Sequence, residues 1–184
     1  IIPTVPASFL TLGDVFRGQD VPVYEETGLT FEENAIGKAL HYSRFTPHLT
    51  VADDSGLEVQ YLEAGPGIYS ARFGGENISY DEKRRMIIRL LGDAPDEARG
   101  ARFRCALAAA RNGSLLALFH GTVEGVMARS PRGTRGFGYD PIFYVPSLGK
   151  TLAEVPLEVK NSLSHRGKAL QKLRAYLLAT APAA

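Results

Sequence analysis

The chain has a single cysteine, Cys105, set in an apolar run. A disulfide framework within one chain is therefore excluded, nothing argues for secretion, and Cys105 reads as a small buried hydrophobe. Charge of one sign is lacking as well. With 21 basic residues against 20 acidic ones the net charge is +1, so no global field draws the protein to nucleic acid or to an anionic membrane. No apolar stretch reaches the roughly 18 residues of a membrane-spanning helix, and the start carries no charged region followed by a cleavable apolar segment. These absences predict a cytoplasmic protein with no nucleic-acid partner and no membrane partner. No internal repeat or low-complexity tract divides the chain, so a single domain over residues 1–184 is expected. The first residue is Ile1 rather than Met, which predicts further sequence upstream.

Several chemical signatures are also missing. There is no G-x-S-x-G elbow for a serine nucleophile. Gly149-Lys150-Thr151 ends like a phosphate-binding P-loop, but Tyr144 stands where its leading glycine belongs. Gly136 and Gly138 precede the strand-like IFYV instead of following a strand, which excludes a dinucleotide fingerprint. His41, His48 and His120 lack metal-ligand spacing and read as local hydrogen-bonders.

What is present is a mixture of helices and strands without strict βαβ alternation, which predicts an α/β fold with a mixed sheet. Thr30 and Glu33 stand in capping-box register ahead of a helical pattern carrying Phe31, Ala35, Ala39 and Leu40. LTVAD reads as a strand running into a polar turn at Asp53-Asp54-Ser55-Gly56, with LEVQYL as a second strand. Ser79 and Glu82 cap a helix that places Met86, Ile87, Leu90 and Leu91 inward and stops at Gly92. Asn112-Gly113 joins two long strands as a type I′ hairpin turn, and Arg102 and Arg104 read as one solvated strand face. Ser164 caps a last helix with Ala169, Leu170, Leu173 and Leu177 on one side, and the residues after Leu178 read as a tail.

Three polar clusters fall in loops or at element ends. The first comprises Glu25, Glu26, Glu33, Asp53 and Asp54. Two carboxylates brought together suit Mg²⁺, while an isolated Asp-Asp pair equally serves turn chemistry and capping. Asn34 and Lys38 lie one helical turn apart, an amide beside an ammonium that suits phosphate oxygens, or simply a surface lysine. The third cluster joins GTRGFGYDP (133–141) to KNSLSHRGKA (160–169). Phe137 and Tyr139 offer flat surfaces, Asp140 an acceptor, and Lys160, His165 and Arg166 donors; a solvent-facing helix start explains the last two as well.

The blocks EETGLTFEENAIGKA (25–39), VADDSGLEV (51–59), GPGIYSARFGG (65–75), GFGYDPIF (136–143) and SHRGKAL (164–170) resemble, in order, the inosine triphosphate pyrophosphatase family. The resemblance covers roughly Glu25 to Ala169. It implies hydrolysis of non-standard purine nucleoside triphosphates (ITP, dITP, XTP) to the monophosphate and pyrophosphate, with Mg²⁺ as cofactor. By resemblance, Glu26 and Asp54 are the metal-binding acids and Asp54 is also the catalytic base that activates water. Lys38 contacts phosphate, and Ser55 contacts substrate. Phe137 stacks on the base, Gly138 and Tyr139 beside it also bind substrate, and Asp140, Lys160, His165 and Arg166 read the purine edge. The family implies an α/β molecule with a long twisted mixed sheet, two lobes with a cleft between them, and a homodimer. Two departures stand out. The family's T-x-N-x-x-K triphosphate loop has no counterpart in the IIPTVPASF start, and Arg135 occupies a position where the family often has glycine. A pyrophosphatase for modified pyrimidine nucleotides and a non-catalytic nucleotide sensor are the competing readings.

Overall fold

The computed structural model describes residues 8–75 and 77–180. The segment Ile1 to Ala7, which makes up most of the IIPTVPASF start, and the tail from 181 to 184 lie outside the described residues. The chain divides into two compact units, one of residues 1–54, 106–119 and 169–184, the other of residues 55–105 and 120–168. Among the described residues, five helices and a five-stranded sheet carry the site. The helices are α1 (Leu12–Phe16), α2 (Phe31–Tyr42), α3 (Tyr80–Leu91), α4 (Leu157–Leu163) and α5 (His165–Thr180). The strands are β1 (Thr50–Val59), β2 (Gly100–Arg111), β3 (Ser114–Met127), β4 (Phe143–Val145) and β5 (Lys150–Thr151), ordered as in the chain.

The α/β class is as expected, and the sheet of the described residues is antiparallel where a mixed one was expected. Val126 pairs with Tyr144 and Val145 with Lys150 in antiparallel register. The end of β1 meets the start of β2, since Glu58 accepts from both Arg102 and Arg104. The two arginines stand on a solvated strand face, as expected, and share one carboxylate. The reason for antiparallel order is visible in the joins. Asn112 (φ 50°) and Gly113 (φ 74°) take the two positive backbone angles of a type I′ turn, which matches the twist of β2 and β3.

The first unit is built on alanine. Residues Ala106 to Ala110 of β2 are all at least 96% buried, and successive strand residues point to opposite faces, so both faces of the strand are covered there. Helix α2 turns Phe31, Ala35 and Ala39 inward, and α5 turns Ala169 and Leu173. Thr30 accepts from the Glu33 N–H, but the Glu33 carboxylate takes the Leu29 N–H at 2.7 Å instead of closing a capping box. Past Tyr42, the Ser43 hydroxyl accepts from Gly113 N–H at 3.0 Å, tying the helix end to the hairpin turn.

The second unit holds a larger apolar core that includes Leu57, Val59, Ile87, Leu91, Phe103, Met127, Ile142, Phe143 and Leu152. The capping box of Ser79 and Glu82 forms in full and Gly92 ends α3. Its buried stripe differs from the expected one: Lys83, Ile87 and Leu91 are inside, while Leu90 is 53% exposed. The i, i+4 row won because the Lys83 ammonium donates to the Ala71 carbonyl, which lets an apolar stem and a satisfied head enter together. The largest difference lies at Asp53-Asp54-Ser55-Gly56, which is no turn: β1 runs unbroken from Thr50 to Val59. Pairing with β2 supplies the ladder that local turn propensity argues against.

Candidate active site

The first group of candidate side chains lies in unit 1. Glu26 precedes α2, and the start of that helix fixes the segment carrying it. The Gly28 N–H donates to Asn34 Oδ1 at 2.9 Å and the Leu29 N–H to Glu33 Oε2 at 2.7 Å. A Cβ at position 28 would lie 2.6 Å from Asn34 Oδ1, so the close approach requires glycine. Asn34 is fully buried, and its Nδ2 donates to Asp54 Oδ2 at 3.0 Å. Its amide is thereby committed to holding Glu26's segment and β1 together, rather than offered to phosphate. One turn further along α2, Lys38 Nζ lies 2.6 Å from Glu26 Oε1 and 3.8 Å from Asp54 Oδ1.

Two carboxylates from separate stretches of chain therefore face one ammonium. Asp54 is buried in this arrangement, while Glu26 and Lys38 are partly open to solvent. Mg²⁺ takes one or two carboxylates and fills its octahedron with water and phosphate oxygens. Glu26 and Asp54 supply that number and already face a cation, so the residues fit the ion. Among the described residues no group of three or more metal-ligating side chains occurs, which excludes an all-protein cage there. Ser55 follows Asp54 in β1 and is half-buried.

The second group lies in unit 2. Gly136 (φ 75°) and Gly138 (φ 62°) bend the loop so that Phe137 stands out, 65% exposed, the most exposed aromatic ring of this unit. Its N–H donates to Asp140 Oδ2 at 2.8 Å, and the Lys160 ammonium, from α4, donates to the same oxygen. Lys160 Nζ also lies 4.4 Å from the centre of the Phe137 ring, and Arg166 Cζ 5.9 Å from it. The ring thus has two cations beside it and an open face for a planar ligand. His165 is buried, with its ring stacked on Phe103 at 4.9 Å and 17°.

Tyr139 is placed differently from Phe137. It is 3% exposed, its ring meets Tyr80 edge-on at 5.5 Å, and its hydroxyl donates to the Ser70 carbonyl at 2.9 Å. Burial pushes its phenol well above the usual range, so it stays neutral and props the loop from beneath. Asp140 is likewise buried and engaged by Phe137 N–H and Lys160. Arg84 of α3, which no sequence signal marks, donates to the Gly138 carbonyl. Helix α4 itself escaped the sequence reading, since LEVKNSL has neither a clean apolar stripe nor a side-chain cap. The structure brings Phe137, Asp140, Lys160 and Arg166 into one group, and Glu26, Lys38 and Asp54 into another.

The sequence profile of the Ham1 family matches residues 4–176. This chain belongs to the Ham1 family. Its Ham1 relatives include a dITP/XTP pyrophosphatase of Geobacter sulfurreducens, 46% identical over 177 residues that span 96% of this chain and 87% of that protein. The dITP/XTP pyrophosphatase of Escherichia coli K12 is 50% identical over 151 residues, 81% of this chain and 77% of that one. Among solved structures, the HAM1 protein of Coxiella burnetii superposes with a TM-score of 0.82 at 41% identity, covering 92% of each chain. No helix among the described residues of this Ham1 chain is long and apolar enough to cross a membrane.

Proposed function

We propose that the protein hydrolyses non-standard purine nucleoside triphosphates, ITP, dITP and XTP, to the monophosphate and pyrophosphate. The observation that carries this is the meeting of Glu26 and Asp54 about the Lys38 ammonium, a charge arrangement suited to a metal-bound polyphosphate. The relatives named dITP/XTP pyrophosphatase support the substrate class. Glu26 and Asp54 hold Mg²⁺, which when bound offsets charge on the phosphates. Lys38 contacts a phosphate oxygen. Asn34 fixes Asp54 Oδ2, which leaves Oδ1 oriented toward Lys38. Asp54 takes a proton from the attacking water, the new bond forms at the α-phosphorus, and pyrophosphate leaves with no covalent enzyme intermediate. Ser55 contacts the substrate beside Asp54.

Base recognition falls to the second group. Phe137 stacks on the purine, and donors from Lys160, His165 and Arg166 meet a 6-oxo group but oppose the amino group of adenine. Each mismatched buried hydrogen bond costs about 1–3 kcal/mol, or about five- to 150-fold in discrimination. The same reading carries a homodimeric, cytoplasmic protein that cleanses the nucleotide pool. A panel of ITP, XTP, ATP and dUTP with Mg²⁺, scored for the products released, tests it. Monophosphate plus pyrophosphate from ITP and XTP, with ATP and dUTP slow, is expected. Diphosphate plus phosphate, or a preference for dUTP, contradicts it.

A further inference from the structure

Arg135 has no part in the chemistry above, yet its place in the loop is tightly defined. Its N–H donates to the Ala153 carbonyl at 3.0 Å, the neighbouring Arg132 N–H to Pro141 O at 2.8 Å, and Thr151 Oγ1 to Arg132 O at 2.7 Å. A Cβ at Gly133 (φ 82°) would lie 2.4 Å from the Ala153 carbonyl, so the loop is pressed against that segment. Held by this backbone, Arg135 lines a cavity of about 490 Å³ together with Lys160 and Glu158, and with Val155, Pro156 and Leu157 as its apolar wall.

Two of the three charged groups in that wall donate hydrogen bonds and one accepts. Lys160 gives one N–H to Asp140 and carries two more. The hydrogen-bonding edge of a 2,6-dioxopurine is the complement: oxygen at C6, N–H at N1, oxygen at C2. Hypoxanthine lacks the second oxygen. Guanine replaces it with an amino donor that opposes a guanidinium, and adenine inverts the first two positions. A 2,6-dioxopurine nucleoside also loses a ring proton near neutrality, which spreads negative charge onto O2, where the planar fork of an arginine is the stronger match. We infer that Arg135 and Glu158 make this cavity selective for xanthine nucleotides, with Arg135 meeting the C2 oxygen and Glu158 the N1 proton. The inference rests on the nucleotide chemistry proposed above.

The test compares kcat/KM for XTP and ITP in the wild type, Arg135→Gln, Arg135→Lys and Glu158→Gln, alongside calorimetric binding of XMP and IMP without metal. The expected wild-type preference is for XTP by about tenfold or more. Arg135→Gln should remove about tenfold of that ratio and Arg135→Lys should return part of it. Glu158→Gln should lower both substrates together, because both carry N1–H. A ratio unmoved by Arg135→Gln, with both triphosphates turned over, overturns the inference and leaves the pyrophosphatase reading intact. If the wild type releases no pyrophosphate from either, that reading fails, and the binding arm still decides: XMP must outbind IMP in the wild type and lose that advantage in Arg135→Gln, or the inference falls.

Discussion

The two groups of candidate residues use charge in opposite ways. In the Glu26–Lys38–Asp54 group the side chains of Glu26 and Lys38 remain 28% and 19% exposed, and one ammonium faces two carboxylates. Such a group can exchange its partners for a ligand at little cost, because water already screens part of each interaction. The Lys160–Asp140 pair is 10% and 5% exposed, balanced one to one, and tied to the backbone through Phe137 N–H. A buried pair of that kind gains little net stability by existing but loses much when one partner is removed. The first group therefore suits the proposed chemistry on a charged ligand, and the second suits shape, with its charges doubling as the loop's framework.

The sharpest break in this comparison comes from Asp54→Asn. Loss of the proposed base should lower kcat about a thousandfold, while the isosteric amide keeps a partner for Asn34 and the melting temperature stays at the wild-type value. Product release followed beside thermal melting measures both. Asp140→Ala should show the reverse pattern. It leaves the Lys160 ammonium unpaired inside the protein, at a cost of about 3–5 kcal/mol read from denaturant unfolding. Equal stability losses in the two variants would erase the distinction between the groups.

Smaller effects refine it. In Gly136→Ala the new Cβ meets Asp140 Oδ2 at 2.1 Å on a backbone with φ 75°, and about 1–3 kcal/mol of stability should be lost with base discrimination weakened. Thr30→Ala removes the hydroxyl that caps α2 and should cost about 1 kcal/mol, with a modest fall in activity because the Glu26 segment hangs on that helix start. A larger loss for Thr30→Ala than for Gly136→Ala would place the more rigid scaffold in the wrong group.

Local signals in the sequence were sufficient wherever the structure is local. Thr30, Ser79 and Ser164 announce helix starts, Gly92 a helix end and Asn112-Gly113 the hairpin, because each acts through bonds to residues three or four positions away. What escaped depends on distant partners. Asp53-Asp54-Ser55-Gly56 has turn composition, yet β2 makes it a strand. Leu90 looks like a core residue until the Ala71 carbonyl draws Lys83 inward. Asn34 pairs with Asp54 twenty positions away, so its sequence neighbours say nothing of its role. The candidate residues were legible as a set, since the ordered blocks name them, and the fold brings them into two groups. Its division of labour, Phe137 presented and Tyr139 buried beneath it, came only from the fold.

The most direct measurement is hydrolysis of ITP or XTP in ¹⁸O-labelled water, with the products separated and weighed by mass spectrometry. Attack at the α-phosphorus places the label in the nucleoside monophosphate and none in pyrophosphate, and the Asp54→Asn protein should yield almost no labelled product. Label recovered in pyrophosphate, or in orthophosphate beside a nucleoside diphosphate, contradicts the account.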